Sequence, residues 1–218
     1  MSDSKPLFDA IRAGDLDKVR DLLDADPSLA SSSNEAGISP VLASVYSGRA
    51  PIRELLLSRG AQLGLADASA TGSLDRVRDL IQNHHQSPRA LSSDGFPVVA
   101  LACVFGHLEV ARYLAAQGAD VNAPASNATG YTALTGAVTS GHTPIVQWLL
   151  ELGADPNYRY GPGYTPLLAA AANGHLDIVK LLLAHGADRS AATSDGKTAL
   201  SLAEERHHTA VVSFLRSS

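Results

Sequence analysis

The sequence predicts an all-α repeat solenoid, a stack of helix–turn–helix units, and three observations carry that prediction. The stretches "FGHLEVARYLAAQGAD", "SGHTPIVQWLLELGAD" and "NGHLDIVKLLLAHGAD" align on Gly-His at one end and on Gly-Ala-Asp at the other. Each follows a short segment that opens on a glycine, and these openings, Gly95, Gly130, Gly163 and Gly196, stand 35, 33 and 33 residues apart. Self-similarity at a fixed period marks units that bury their apolar faces against copies of themselves. Finally, the chain is 45% hydrophobic with only 5% aromatics. Ala and Leu dominate the apolar set, and both lose little on entering a helix.

Within one unit, residues 163–188, "GYTPLLAAAANGHLDIVKLLLAHGAD" divides into two short helices. The first is expected from Thr165 or Pro166 to Asn173. Thr165 serves as N-cap and Pro166 occupies the first helical position, where a missing N–H costs nothing. A Gly inside a helix costs about 1 kcal/mol against Ala, so Gly174 is read as the turn that ends this helix, at the positive φ only Gly takes cheaply. The second helix is expected from about Leu176 to His185, and Gly186 stops it in the same way.

These units resemble ankyrin repeats, whose period is about 33 residues with a T-P-L-H-x-A signature. This chain has "TPLLAAA" from Thr165, "TALTGAV" from Thr132 and "TALSLAE" from Thr198. The resemblance covers nearly the whole chain. It implies an L-shaped stack of helix–turn–helix units with β-hairpin fingers between successive repeats, capped at each end by a polar outer surface.

Taken in order, residues 1–218 read as one repeat domain. Residues 4–34 hold "LFDAIRAGDLDKVRDLL", which resembles a capping unit, with Asp9, Arg12, Asp15 and Lys18 wetting its outside. Residues 35–61 form a second repeat opening at Gly37, and 62–92 a third. The third matches the first at a constant offset of 58 residues: Gly14 with Gly72, Leu16 with Leu74, Val19 with Val77, and Gly37 with Gly95. A duplicated two-repeat unit is implied. Residues 93–127, 128–160, 161–193 and a C-terminal cap, 194–218, complete seven repeats.

Three departures stand out. Gly48 and Gly72 are only 24 residues apart, so the finger between the second and third repeats is expected to be missing, kinking the stack into two concavities. The finger containing "NAPASNATG" is expected to be longer. The signature His is replaced by Leu42, Ala100, Thr135, Leu168 and Ser201, so its hydrogen bonds must be replaced or absent.

The chemistry-bearing residues form no catalytic constellation. His84-His85 and His207-His208 are neighbours, which point in different directions on a helix. His107, His142 and His175 recur once per repeat and belong to the Gly-His turn. Cys103 precedes His107 by four residues, the one arrangement that would suit a Cys/His-dependent hydrolase or transferase. The same slot holds Val138 and Ala171 in sister repeats, so Cys103 reads as a small core residue. Ser31 to Ser33 and Ser92-Ser93 lack a GxSxG context, and no P-loop, GxGxxG, CxxC or HExxH occurs. No enzyme activity, no cofactor and no metal is expected.

A net charge of -5 without a Lys/Arg cluster argues against nucleic acid. The absence of a long apolar run or an apolar leader argues against a membrane and for a cytoplasmic protein; with one cysteine, no internal disulfide forms. The sequon Asn127-Ala128-Thr129 is read as chance.

What the resemblance implies about function is a protein or peptide partner on the concave face, formed by finger tips and first helices. On this chain those places carry Tyr46, Phe96, Phe105, Tyr131 and Tyr164, with Tyr158, Arg159 and Tyr160 on the finger before Gly161. Tyr and Arg are enriched at binding hot spots. A competing role for Tyr131 and Tyr164 is to brace neighbouring fingers. Tyr113 and Trp148 lie in second helices, where a sister repeat has Leu181, and are assigned to the back face. The expected molecule is a monomeric adaptor; a regulator or translocated effector would use the same surface on a foreign target.

Overall fold

In the computed structural model, which describes residues 4–217, the described residues form fourteen α-helices and no strand. They follow one another in pairs: α1 Lys5–Ala13 and α2 Leu16–Ala25, α3 Pro40–Tyr46 and α4 Ala50–Ser58, α5 Leu65–Thr71 and α6 Leu74–Gln82, α7 Val98–Val104 and α8 Leu108–Ala116. The C-terminal pairs are α9 Ala133–Thr139 and α10 Thr143–Glu151, α11 Pro166–Ala172 and α12 Leu176–Ala184, α13 Ala199–Glu205 and α14 Thr209–Ser217. A 3-10 turn at Pro27–Ser31 follows α2. First helices pack on first helices along the chain, from α1 on α3 through to α11 on α13. The chain is therefore an α-helical repeat solenoid.

Side-chain caps set where the helices begin. Ser39, Thr132, Thr165 and Thr198 each accept a hydrogen bond from the backbone N–H three residues on. The missing signature His is partly replaced. Thr135 Oγ1 accepts from the Thr132 N–H at 2.8 Å and Ser201 Oγ from the Thr198 N–H at 2.9 Å. Gly174 takes φ +74° at the turn, as expected, with α11 and α12 each stopping one residue before the expected end. The same left-handed turn is made by His207, at φ +59°, in the seventh pair and by His85, at φ +52°, after α6. Both adjacent His pairs thus hold a histidine where sister units use Gly.

The expected β-hairpin fingers are corrected in one respect. Three of them close through isolated antiparallel bridges, Leu91 with Pro97, Tyr160 with Tyr164 and Ala192 with Thr198. The repeated Gly-Ala-Asp has its own cause: Asp120, Asp155 and Asp188 each accept from the backbone N–H two residues on, at 2.8–2.9 Å, starting the turn into the finger. Between α4 and α5 only residues 59–64 intervene, and no bridge forms there among the described residues.

The core divides at that same place. One apolar cluster runs from Leu65 to Leu215 and another from Leu7 to Leu56. Leu42, Val45, Ala70 and Leu101 form a small third cluster between them.

Candidate functional site

Each unit after the third is clasped to the one before it by a histidine. Nε2 of His107, His142, His175 and His208 lies 3.1, 3.0, 3.4 and 3.0 Å from the carbonyl oxygens of Ala70, Val104, Thr139 and Ala172. A carbonyl only accepts, so Nε2–H donates, and each ring lies over the preceding turn glycine. A Cβ built at Gly174 would sit 2.5 Å from His208 Nδ1. Arg49 does the same work over Gly14, donating to the Arg12 carbonyl at 3.2 Å. The histidines expected to stabilise turns therefore join repeats. Burial holds the His107 pKa below its ordinary value against the opposing effect of the Ala70 bond.

Cys103 is 0% exposed, and burial pushes its thiol up to about 12. A thiol so placed is neither a nucleophile nor accessible. Iodoacetamide should leave Cys103 unlabelled in the native protein and label it on unfolding, as read by intact mass. No group of three or more His, Cys, Asp or Glu residues suited to a metal occurs among the described residues.

The predicted binding residues fall into two groups. Tyr46, 39% exposed at the end of α3, stacks on Phe105 just past α7, with ring centroids 6.0 Å apart. Phe96, half-buried, packs on the small cluster beneath them. Burial of the Tyr46 hydroxyl end, then a hydrogen bond to Asp94, raises its pKa. In the second group Tyr160 packs edge-on to Tyr131 at 5.1 Å and lies 6.3 Å from Tyr164. Tyr160 itself is 9% exposed.

Two of the predicted residues spend their polar ends on the fold. The Tyr158 hydroxyl donates to the Gly130 carbonyl at 3.0 Å. Arg159 donates to the Gly163 and Ala192 carbonyls at 3.3 and 3.1 Å, tying its finger to the next. Tyr113 and Trp148 lie half-buried on second helices, as expected. Arg78 stands 5.7 Å above the Tyr113 ring, and Trp148 borders a shallow groove with Leu152.

The second aromatic group borders a cavity of about 370 Å³, between the finger preceding α11 and the first helices α9, α11 and α13. Tyr131, Tyr160, Tyr164, Pro162, Ala169 and Ala172 supply its apolar wall; Thr129, Thr139, Asn173 and Arg206 its polar points. Sequence reasoning missed Arg206. The two residues before each turn glycine face this side, but the last unit has His207 in the glycine slot, so Glu205-Arg206 was not placed there. Alignment of His208 with the other clasp histidines would have found it.

Two ankyrin-repeat family models match, over residues 65–160 and 149–203, together more than half of the chain. The chain belongs to the ankyrin-repeat family. Curated proteins of the same kind are similar over part of their length. Ankyrin repeat and SAM domain-containing protein 6 from Rattus norvegicus is 32% identical over 58% of this chain and 11% of that protein. Alpha-latrocrustotoxin-Lt1a from Latrodectus tredecimguttatus is 28% identical over 50% of this chain and 8% of the toxin. The 26S proteasome non-ATPase regulatory subunit 10 from Dictyostelium discoideum is 35% identical over 38% and 36%. The chain thus spans about a tenth of the first two relatives. Ankyrin repeats are generally protein–protein interaction modules and typically non-catalytic. Among the described residues no helix is long and apolar enough to cross a membrane.

Proposed function

We propose that this ankyrin-repeat chain is an adaptor that holds a protein or peptide partner on its concave face, by shape and polarity and without a chemical step. The observation that carries the reading is the aromatic group Tyr131, Tyr160 and Tyr164 around an open cavity on the finger and first-helix side. Rigid aromatics already held by their neighbours lose little entropy on binding. The fingers behind them are pinned by side-chain-to-backbone bonds from Tyr158, Arg159 and Asn157. Tyr46 and Phe105 offer a second, smaller anchor on the same face.

The adaptor acts as a monomer in the cytoplasm, with neither nucleic acid nor a membrane as its partner. The net charge of -5 supports the exclusion of nucleic acid. Light scattering that gave a dimer mass would remove the monomer from this reading.

The test is a paired pull-down from lysate of the source organism, using the native chain beside a Tyr131→Ala, Tyr164→Ala double variant. A protein retained by the native bait and lost from the variant supports the face. Equal capture by both moves the site elsewhere.

A further inference from the structure

Arg206 is the one charged residue lining the cavity, and its exposed guanidinium has no side-chain partner among the described residues. The carboxylates beside it in sequence are taken: Glu204 by Arg216 at 2.7 Å and Glu205 by Lys197 at 2.8 Å. Among the described residues no carboxylate pairs with Arg206. The Asn173 side-chain amide, on the same wall, likewise has no hydrogen-bond partner among the described residues. The rest of the wall is predominantly aromatic and aliphatic, and about 370 Å³ lies within the range of sites that enclose a ligand group, about 300–1,000 Å³.

We infer that this cavity takes one large apolar side chain of a partner peptide and that Arg206 binds an Asp or Glu carboxylate next to it. The inference rests on the concave-face reading and gives it a partner chemistry: an acidic residue beside a bulky apolar one. The apolar side chain would fill the space above Ala172 and between Tyr131 and Tyr164. A guanidinium at the rim offers two parallel N–H donors to a carboxylate, a charge-assisted geometry stronger than a neutral hydrogen bond. Asn173 can then take a peptide N–H or C=O, the groups an extended segment always presents. A basic residue in the same place would face Arg206 with no carboxylate on the wall to offset it.

The experiment selects a displayed library of random linear peptides on the native chain, then measures fluorescein-labelled selected peptides against three proteins. These are the native chain, Arg206→Glu, and the Tyr131→Ala, Tyr164→Ala double variant. The Arg206 side chain is exposed and makes no hydrogen bond or ion pair among the described residues, and the substitution leaves its backbone bond to the Leu202 carbonyl in place, so Arg206→Glu should keep the native circular dichroism and unfolding midpoint. The expected result is enrichment of Asp or Glu adjacent to Phe, Trp or Leu. Arg206→Glu should then bind such peptides about 10- to 100-fold more weakly, and should prefer the same peptides carrying Lys for the acid. Enriched peptides without an acid, or acidic ones that Arg206→Glu binds unchanged, overturn the inference. If the double variant still loses those peptides, the concave-face reading survives that failure. Peptides bound equally by all three proteins overturn both, and a selection that enriches nothing overturns the acidic-apolar assignment.

Discussion

The junction between α11–α12 and α13–α14 differs from the junction between α3–α4 and α5–α6 in almost every device that holds units together. At the first, His208 lies over Gly174 and donates to the Ala172 carbonyl, and a bridged finger runs between the units. At the second, Ser73 stands where the clasp histidine should be and bonds to Thr71 in its own unit, at 2.9 Å. Nothing lies within 4 Å of a Cβ built at Gly48. No finger bridges the gap, and the two large apolar clusters end there. What links the units instead is the small cluster of Leu42, Val45 and Ala70 together with Asp67, 7% exposed, which accepts from the Ser39 hydroxyl across the junction and from the Gly64 N–H at 3.0 Å in its own unit. Repeat contact here thus comes in two forms: a redundant set of modest bonds repeated down the stack, and, where that set fails, one polar pair beside a small apolar cluster. In a solenoid, stability is close to a sum of unit and nearest-neighbour terms, so a weak junction divides the stack rather than weakening it evenly.

The comparison breaks most sharply at the glycines. Gly174→Ala combines a left-handed φ of +74° with a collision against the His208 ring. It should lower stability by about 2–3 kcal/mol. Gly48→Ala meets open space and carries only the conformational cost, about 1 kcal/mol. Urea unfolding of the two variants checks this, and equal losses would mean that the clasp contributes no packing.

Next in size is the clasp bond. His208→Ala should cost about 1 kcal/mol, the ordinary net value of a hydrogen bond with some lost contact, whereas Ser73→Ala should change stability by less than about 0.5 kcal/mol. The same unfolding series reads both. If Ser73→Ala proved as costly as His208→Ala, the irregular junction would hold a contact comparable to the clasp.

The smallest effect is the pH dependence of the polar pair. Burial raises the Asp67 pKa above the ordinary carboxylate value, against the opposing bonds from Ser39 and Gly64. The folded chain therefore holds this proton more tightly than the unfolded chain does. Asp67 contributes most to stability at acid pH, and that contribution is lost as pH rises through its folded pKa. Relative to Asp67→Asn, the native chain should gain stability as pH falls from about 7 toward about 4. A gap between the two proteins that stays constant or moves the other way would mean Asp67 is solvated and the junction open.

The helix pairs were legible in the sequence because each depends on local chemistry. A Thr or Ser cap, a proline at the first turn and a glycine at the stop determine where a short helix begins and ends, whatever it packs on. The places where legibility failed share one cause. His207 and His85 adopt the backbone of glycine, and nothing in their side chains announces it, so the last turn lost its alignment and Arg206 its place on the face. Among the aromatics, the sequence grouped them on one side but could not separate Tyr158, whose hydroxyl braces a finger, from Tyr164, which borders the cavity. That distinction depends on which carbonyl lies within 3 Å of an oxygen, a relation between units.

By itself, then, the sequence determined the period, the helix–turn–helix unit, the missing segment near Gly64 and the absence of a catalytic motif, all of which follow from residue type and spacing along one chain. Only the tertiary structure decided that histidines clasp successive units, that Arg159 is a tie rather than a free cation, that Asp67 spans the irregular junction, and that three tyrosines and Arg206 meet around one cavity. Those outcomes depend on distances between residues some 28 to 75 positions apart. Stacking brings such residues together, and no local pattern encodes the result.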